Sequence, residues 1–298
     1  MFPPMWLTLH FFLQETCYLS PYTIIEPTCI SFSGGRTSAY MLYKVLEAHN
    51  MNLPDDAIVC FANTGKEDEA TLKFVNDCAV NWNVPIVWLE YQDAEESKDR
   101  WKQVTYETAS RDGEPFEAVI RKKNYLPNPV TRFCTVEMKI RTIANYLFYK
   151  GFCETRTQGE YMSWVGIRAD EPRRAAKIPR ERTPLVSDGV TKEIVGNFWK
   201  SQSFDLELPN IGGVTYHGNC DLCFLKGASQ TMSLIKENPE RAVWWANMEA
   251  LALALASKPD GARFRKDRPS YAQMLKYTAD QTTMFDQHDE SIDCFCGD

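Results

Sequence analysis

The chain has 298 residues and a formal net charge of -7 at pH 7, with 44% hydrophobic and 24% charged residues. This composition is that of an ordinary globular protein, large enough for one α/β domain or for a domain with an appendage. The negative charge argues against a protein that mainly coats nucleic acid, and no apolar run approaches the ~20 residues of a membrane-spanning helix, so we expect a cytoplasmic protein without a membrane partner.

The first 26 residues begin with an apolar stretch, MFPPMWLTLHFFL, that contains two prolines and is not preceded by basic residues. A secretory signal requires a basic start and a cleavage site of small residues, and neither is present. We therefore interpret residues 1–26 as an N-terminal arm that packs against the body of the protein.

Between residues 27 and 190 short apolar segments alternate with amphipathic ones. The segments CISFS, DAIVCFAN, VPIVWLEY and EYMSWVGIR are typical of strands, and TSAYMLYKVLEAHN, EDEATLKFVNDCAVNW and TVEMKIRTIANYLFYKG are typical of helices. Continuous apolar strands between such helices indicate a parallel sheet that is covered on both faces. The intervening segment ASRDGEPFEAVIRKKNYLPNPVTRF carries three prolines and is predicted to be a loop.

From about Thr191 onward the pattern becomes helical and irregular, as in PERAVWWANMEALALAL. The sequence therefore predicts a parallel, doubly wound α/β domain over residues 27–190. Residues 191–298 are predicted to form a helical, cysteine-containing extension of the same body.

The turn after the first strand, SFSGGRTS, places Ser33, Gly34 and Gly35 directly before a helix. Glycines allow the positive φ angles at which several backbone N–H groups point at one spot, and a helix N-terminus adds partial positive charge. Such a turn suits an anion, above all a phosphate. The alternative is a tight turn in which Ser or Thr only caps the helix.

Two other predicted strands also end in polar segments that contain glycine, CFANTGKEDE and WVGIRADEPRR. In an open parallel sheet, ligands bind at the carboxyl ends of the strands. Three such ends in the same topological position favour a ligand site over three purely structural turns.

Five segments resemble the motifs of the PP-loop ATP pyrophosphatases, specifically of their phosphoadenosine phosphosulfate (PAPS) reductase branch. In the order of that family they are SFSGGRTSAYM, NTGKEDEATLKFV, RFCTVEMKI, WVGIRADEPRR and GNCDLCFLK. The resemblance spans residues 28 to about 226 and implies an adenine nucleotide alpha hydrolase-like fold. It also implies a small-molecule partner, an adenine nucleotide that is either ATP or PAPS.

The resemblance assigns nucleotide-binding roles to residues at two strand ends. Adenosine would lie near the second strand, at Asn63, Thr64 and Gly65. The phosphates would bind the loop after the first strand, which consists of Ser33, Gly34, Gly35, Arg36, Thr37 and Ser38.

The resemblance also assigns roles to basic residues further along the chain. Arg168, together with Arg173 or Arg174, would neutralise phosphate or sulfate oxygens, for which guanidinium groups are well suited. Lys139 would add a positive charge, and Arg168 and Lys139 are the catalytic candidates. Many PP-loop enzymes have an aspartate at the position of Thr37, so this departure weakens the case for a Mg²⁺ ion there.

The segment CDLC, with Cys220 and Cys223, can be a redox pair or half of a metal site. Four thiolates complete either a tetrahedral zinc site or an iron–sulfur cluster. Superfamily members that reduce adenosine phosphosulfate hold a [4Fe–4S] cluster, so the resemblance favours such a cluster on Cys134, the CDLC pair and either Cys296 or Cys294. A structural zinc on the same residues, or separate thiols, are the alternatives.

The tail ends in DCFCGD and lacks the ECGLH signature of PAPS reductases. Cys296 is nevertheless a candidate catalytic nucleophile, because nearby arginines would lower its pKa. We predict an enzyme that adenylates a substrate, converting ATP to AMP and pyrophosphate, for sulfur transfer. The alternatives are a reductase that releases sulfite from an adenylyl sulfate, and a nucleotide-binding regulator without activity.

Candidate macromolecular partners follow from this chemistry and from charge. A sulfur donor protein would supply the sulfur, and a second copy of the chain could form a homodimer. Residues 168–182 contain six Lys/Arg, and the segment RFRKDR occupies residues 263–268. Basic residues with neighbouring aromatics can hold a single-stranded nucleic-acid acceptor, although tryptophans in a buried helix are the more common arrangement.

Overall fold

The computed structural model describes residues 19–156, 160–211, 214–255 and 262–279. At its centre is a five-stranded sheet with the order β4-β3-β2-β1-β5, in which only β4 is antiparallel to its neighbour. The strands are β1 (Thr28–Phe32), β2 (Ala57–Asn63), β3 (Ile86–Glu90), β4 (Lys102–Val104) and β5 (Met162–Val165). The predicted α/β class with a largely parallel sheet is confirmed, and the antiparallel edge strand is an addition to it.

Helices follow most of the strands, and more helices form the C-terminal region. They are α1 (Arg36–Ala48), α2 (Glu69–Asn81), α3 (Glu114–Lys123), α4 (Thr142–Tyr149), α5 (Pro172–Ala175), α6 (Pro184–Ser187), α7 (Lys192–Lys200), α8 (Ala228–Glu237), α9 (Glu240–Leu255) and α10 (Tyr271–Ala279). A π-helix, Thr135–Arg141, runs directly into α4, and β6 (Asn210–Ile211) pairs with β7 (Val214–Thr215). Within these described ranges no helix is long and apolar enough to cross a membrane.

Both faces of the sheet are covered, because successive side chains of a strand point in opposite directions. On one face Ile30 and Phe61 belong to a hydrophobic cluster with α1, α2 and α7. On the other face Cys29 and Cys60 pack with Leu147 of α4. Burial on both sides explains the nearly continuous apolar strands from which the sheet was predicted.

The C-terminal helices form a hydrophobic cluster of their own together with α3. Trp245 is fully buried in it and stacks on Tyr271, with ring centroids 5.3 Å apart. Within the basic segment 263–268, Arg268 is buried and donates through Nη1 to the carbonyl oxygen of Lys226 at 2.8 Å. Trp245 and Arg268 therefore hold the C-terminal region together and do not face solvent.

The segment that was predicted as a proline-containing loop includes helix α3, so that prediction was wrong in part. Gly113 precedes the helix with a φ of 86°, and Pro115 lies in its first turn. A proline is tolerated there because its missing N–H would have no partner within the helix. The proline thus marks the beginning of a helix.

The predicted N-terminal arm is described only from residue 19 onward, and residues 1–18 lie outside the described residues. Tyr22, near the end of the arm, is buried and donates a hydrogen bond of 2.8 Å to Asp188 Oδ2. Burial and this bond raise the pKa of the Tyr22 hydroxyl far above its ordinary value. The described end of the arm is thus fixed to the α/β domain.

Truncation of a core residue in α1 should destabilise the protein strongly. Leu42 is 0% exposed, so Leu42→Ala should lower the free energy of unfolding in urea by about 2 to 5 kcal/mol. Leu253, in α9, is 57% exposed, and Leu253→Ala should change the free energy of unfolding by less than about 0.5 kcal/mol. Equal losses in the two variants would contradict this packing.

Candidate functional site

The strand order changes direction beside β1, which has β2 on one side and β5 on the other. Ser31 of β1 pairs with Val165 of β5 in parallel register, so the segments that follow the two strands leave the sheet side by side. In open α/β sheets, ligands bind in the crevice at such a switch point. The two segments are residues 33–38 and residues 166–174.

The loop after β1 depends on one of its two glycines. Gly34 has a φ of 83°, and a Cβ atom at this position would lie 2.6 Å from Cγ2 of Thr71. Gly35, the N-cap of α1, has a φ of -98° and a ψ of 163°, an extended conformation open to other residues. Of the two positions, only position 34 therefore requires glycine, both for its backbone conformation and for the close contact with α2.

The loop has donors that make no bond within it. Ser33 donates to Oγ of Ser38 both from its backbone N–H, at 3.1 Å, and from its hydroxyl, at 2.8 Å. The next backbone N–H groups, those of residues 34–37, have no acceptor in the described part of the chain. These four groups lie at the positive end of α1, which is an arrangement suited to an anion.

Arg168 reaches the loop from the end of β5. Its Nη1 donates to Oγ1 of Thr37 at 2.9 Å, and its Nε donates to Oδ1 of Asp170 at 3.0 Å. The approach of the two segments depends on Gly166, where a Cβ would lie 2.9 Å from Cα of Ser38. Ser33 and Arg168 line the same small cleft, which has a volume of about 60 Å³ and is here called the loop cleft.

Lys192, the first residue of α7, also lines the loop cleft, and no carboxylate in the described ranges forms an ion pair with it. Its backbone N–H donates to Oδ2 of Asp170 at 3.0 Å. Burial alone would raise the pKa of Asp170, but this N–H and Arg168 outweigh burial and hold the pKa below its ordinary value. Sequence reasoning missed Lys192; the available signal was its position directly after Thr191, which caps α7.

The side chain of Arg36 is held in an ion pair. Its Nε and Nη2 donate to the two carboxylate oxygens of Asp205, at 2.7 and 2.9 Å. Its carbonyl oxygen accepts a hydrogen bond of 3.0 Å from Nε1 of Trp199 in α7. Arg36, predicted to contact the nucleotide, lines the loop cleft and attaches the loop to α7 and to the segment after α7.

A wide cleft of about 860 Å³ begins at Ser33, the residue that it shares with the loop cleft. It is lined by the ends of β1 and β5, by the π-helix and by parts of residues 174–182. Lys139 of the π-helix also lines this cleft, and its Nζ lies 4.0 Å from Oε1 of Glu67.

The three residues predicted near adenosine are enclosed in their own turn. Asn63 is 0% exposed and donates to Oε1 of Glu90 at 2.7 Å, and its side-chain oxygen accepts the N–H of Gly65. Thr64 is buried and donates to Oε2 of Glu67 at 2.8 Å. None of the three lines either cleft, whereas Ala62, one residue earlier in β2, lines the wide cleft.

The two arginines that follow Arg168 have different surroundings. Arg173 is exposed and lines neither cleft. Arg174 is 7% exposed, lines the wide cleft and donates through Nη1 to Oε1 of Glu171. Its Nε is buried without a hydrogen-bond partner. Of the pair, only Arg174 is therefore directed into a cleft.

The CDLC turn is attached to the end of β2. Asp221 forms a buried ion pair with Lys66, with an Nζ–Oδ2 distance of 3.1 Å, and accepts a bond of 2.8 Å from Nε1 of Trp245. Sγ of Cys220 lies 3.4 Å from Oγ1 of Thr64. The second and fifth motifs are thus in direct contact, and Asp221 is a structural residue that the sequence did not single out.

The described residues do not assemble the predicted metal site. Cys134, Cys220 and Cys223 lie in or against the C-terminal hydrophobic cluster, yet no three Cys, His, Asp or Glu side chains in the described ranges form a group that could hold a metal ion. Cys294 and Cys296 lie outside those ranges. The cluster and the zinc alternative remain predictions, and we derive no chemical step from either.

Comparison with known proteins links the chain to a bacteriophage protein. No protein-family model and no solved structure matches the chain. It is similar to the uncharacterized nin region protein ORF290 of Escherichia phage lambda, with 30% identity over 217 residues. The match covers 71% of this chain and 70% of the phage protein. The chain therefore belongs to the same protein family as ORF290 of phage lambda.

Proposed function

We propose that the chain is a PP-loop enzyme of the PAPS reductase type that binds ATP and adenylates an acceptor for sulfur transfer. The observation that carries the proposal is the hydrogen bond from Arg168 to Thr37. It holds a guanidinium group at the loop whose backbone N–H groups at residues 34–37 lack acceptors. Lys192 lines the same cleft and adds a further positive charge.

These groups suit a transfer in which pyrophosphate leaves. An acceptor oxygen would form a bond to the α-phosphorus of ATP, while the bond from that phosphorus to the bridging oxygen breaks. Negative charge then grows on the leaving pyrophosphate, and fixed N–H groups with Arg168 and Lys192 would stabilise it. A Mg²⁺ ion bound with the nucleotide would supply further charge, but Thr37 offers it no carboxylate.

The nucleoside would extend from the loop into the wide cleft. Phe32, Ala62 and Ile167 give this cleft apolar lining close to Ser33. A flat base bound there would lie beside β2, as the family resemblance implies, with Ala62 in contact in place of the enclosed residues 63–65. The triphosphate would then point from Ser33 towards Arg168.

Loss of Arg168 should abolish most activity. With labelled ATP and a sulfur acceptor, the intact chain should release pyrophosphate, and Arg168→Ala should lower kcat by about 100-fold or more because one charged donor is lost. Arg121→Ala, which removes an exposed arginine of α3, is the matched control and should retain full activity. Release of sulfite from PAPS with thioredoxin would favour the reductase, and ATP binding without any turnover would favour the regulator; either result contradicts the proposal.

Two glycines with a positive φ should respond differently to alanine. Gly34→Ala places a Cβ 2.6 Å from Thr71 and should weaken ATP binding, measured by calorimetry, by about tenfold or more. Gly151 has a φ of 69° and lines neither cleft, and a Cβ there would meet nothing within 4 Å. Gly151→Ala should leave the ATP affinity unchanged and lower the free energy of unfolding by about 1 kcal/mol, the cost of a side chain in this backbone conformation. Equal ATP affinities in the two variants would argue against binding at this loop.

The metal prediction can be tested without activity. Anaerobically purified full-length protein should contain about four iron atoms and four sulfides per chain. It should also show the visible absorption that is typical of a [4Fe–4S] cluster. Cys220→Ser, and one of the two tail variants Cys294→Ser and Cys296→Ser, should lower the iron content, whereas Cys78→Ala, at a buried core position of α2, should not. One zinc per chain without sulfide would refute the cluster.

A further inference from the structure

The wide cleft is larger than the nucleoside of one nucleotide needs. Ligand-binding clefts for whole drug-sized molecules are roughly 300 to 1,000 Å³, and this one measures about 860 Å³. It extends from Ser33 along the π-helix as far as Phe133 and Thr131. A second ligand therefore has room beside the nucleoside.

The lining of the wide cleft is positively charged, although the chain as a whole is negative. Among the described residues that line it, the one carboxylate is that of Glu137, which is already paired with Lys123 and Arg141, each at 2.7 Å. Its cations are Arg132, Lys139, Arg174 and Arg182. An anionic ligand would be attracted to this cleft.

Arg174 gives the strongest sign that this cleft binds a ligand. It is more than nine-tenths buried, and its Nε has no hydrogen-bond partner. A buried donor that lacks a partner costs free energy, and more so on a charged group. A ligand oxygen bound by the guanidinium group would give this N–H a partner, and remove that cost, once the side chain turns towards the cleft. Nearby, Arg182 is oriented by the bond from its Nε to the carbonyl oxygen of Ser163, at 2.9 Å.

The π-helix, an unusual element, adds apolar side chains to the lining besides Lys139. Val136 and Ile140 of the π-helix line the cleft and are partly exposed, Ile140 to 42%. π-helical turns are rare and are found often at functional sites. A ligand with both an anionic group and a flat or apolar part fits this combination of cationic and apolar lining.

We propose that the wide cleft binds the acceptor of the reaction, and that this acceptor is a nucleotide phosphate ester held through Arg174. The catalytic meaning of the site rests on the proposed function, but the binding itself does not. The ester can belong to a free mononucleotide or to a single-stranded nucleic acid. Arg173 and Arg180, exposed on the adjoining segment, extend the positive surface beyond the cleft, as a strand would require.

The experiment measures binding of two probes to the full-length protein. The probes are uridine 5′-monophosphate, followed by calorimetry, and a fluorescent single strand of ~12 nucleotides, followed by anisotropy. Each is titrated with and without a saturating ATP analogue that cannot be cleaved. We expect at least one probe to bind with the analogue present, and the tighter of the two identifies the source of the phosphate.

Arg174→Gln should weaken that binding by about tenfold or more, whereas Arg121→Gln, the same charge change on an exposed arginine of α3 outside both clefts, should weaken it by less than about threefold. Because Arg174 contacts Glu171, a neighbour of Arg168, Ile140→Glu serves as a second variant. It places a negative charge in the cleft from a partly exposed position and should weaken binding similarly without affecting the fold. Unfolding curves verify that each variant is folded.

Displacement of both probes by the ATP analogue would overturn the proposal, because one ligand would then fill both clefts. Equal effects of Arg174→Gln and Arg121→Gln, or no binding of either probe, would also overturn it. Probe binding by a protein that binds no ATP would instead refute the proposed function and leave the acceptor site standing.

Discussion

The contact between the ends of β1 and β5 is the constraint on which the candidate site depends. Gly166 has no side chain, so the segment after β5 lies against the backbone at Ser38, and Arg168 can reach Thr37. The sheet itself only makes the two ends neighbours. The close approach of the backbones turns that adjacency into a cleft with a cation on one side and unbonded N–H groups on the other.

The features that could be predicted from sequence are those that depend on local pattern. Continuous apolar strands between amphipathic helices were sufficient for the α/β sheet, and the Ser-Gly-Gly turn indicated the positive φ that Gly34 adopts. The three polar strand ends were sufficient to predict that residues 33–38 and Arg168 lie together, because parallel strands end on one edge. None of these inferences needs a contact distant in sequence.

The remaining features depend on distant contacts or on geometry that leaves no period in the sequence. Lys192 and Asp205 reach the loop only because α7 and the segment after it fold back over α1. The enclosure of Asn63 depends on Glu90, a residue of the next strand. The π-helix departs from the 3.6-residue repeat that a sequence pattern can reveal, and α3 was obscured by prolines that stand at its beginning.

The bonds of α7 have a consequence for how the chain can be divided. Trp199 lies in the core beside the sheet and donates to the carbonyl oxygen of Arg36, while the side chain of Arg36 holds Asp205. A fragment that stops at residue 190 would lose these supports and expose part of the core. A fragment that folds independently must therefore extend well beyond residue 190, the domain boundary inferred from sequence. Residues after that boundary hold the loop of residues 33–38 in place.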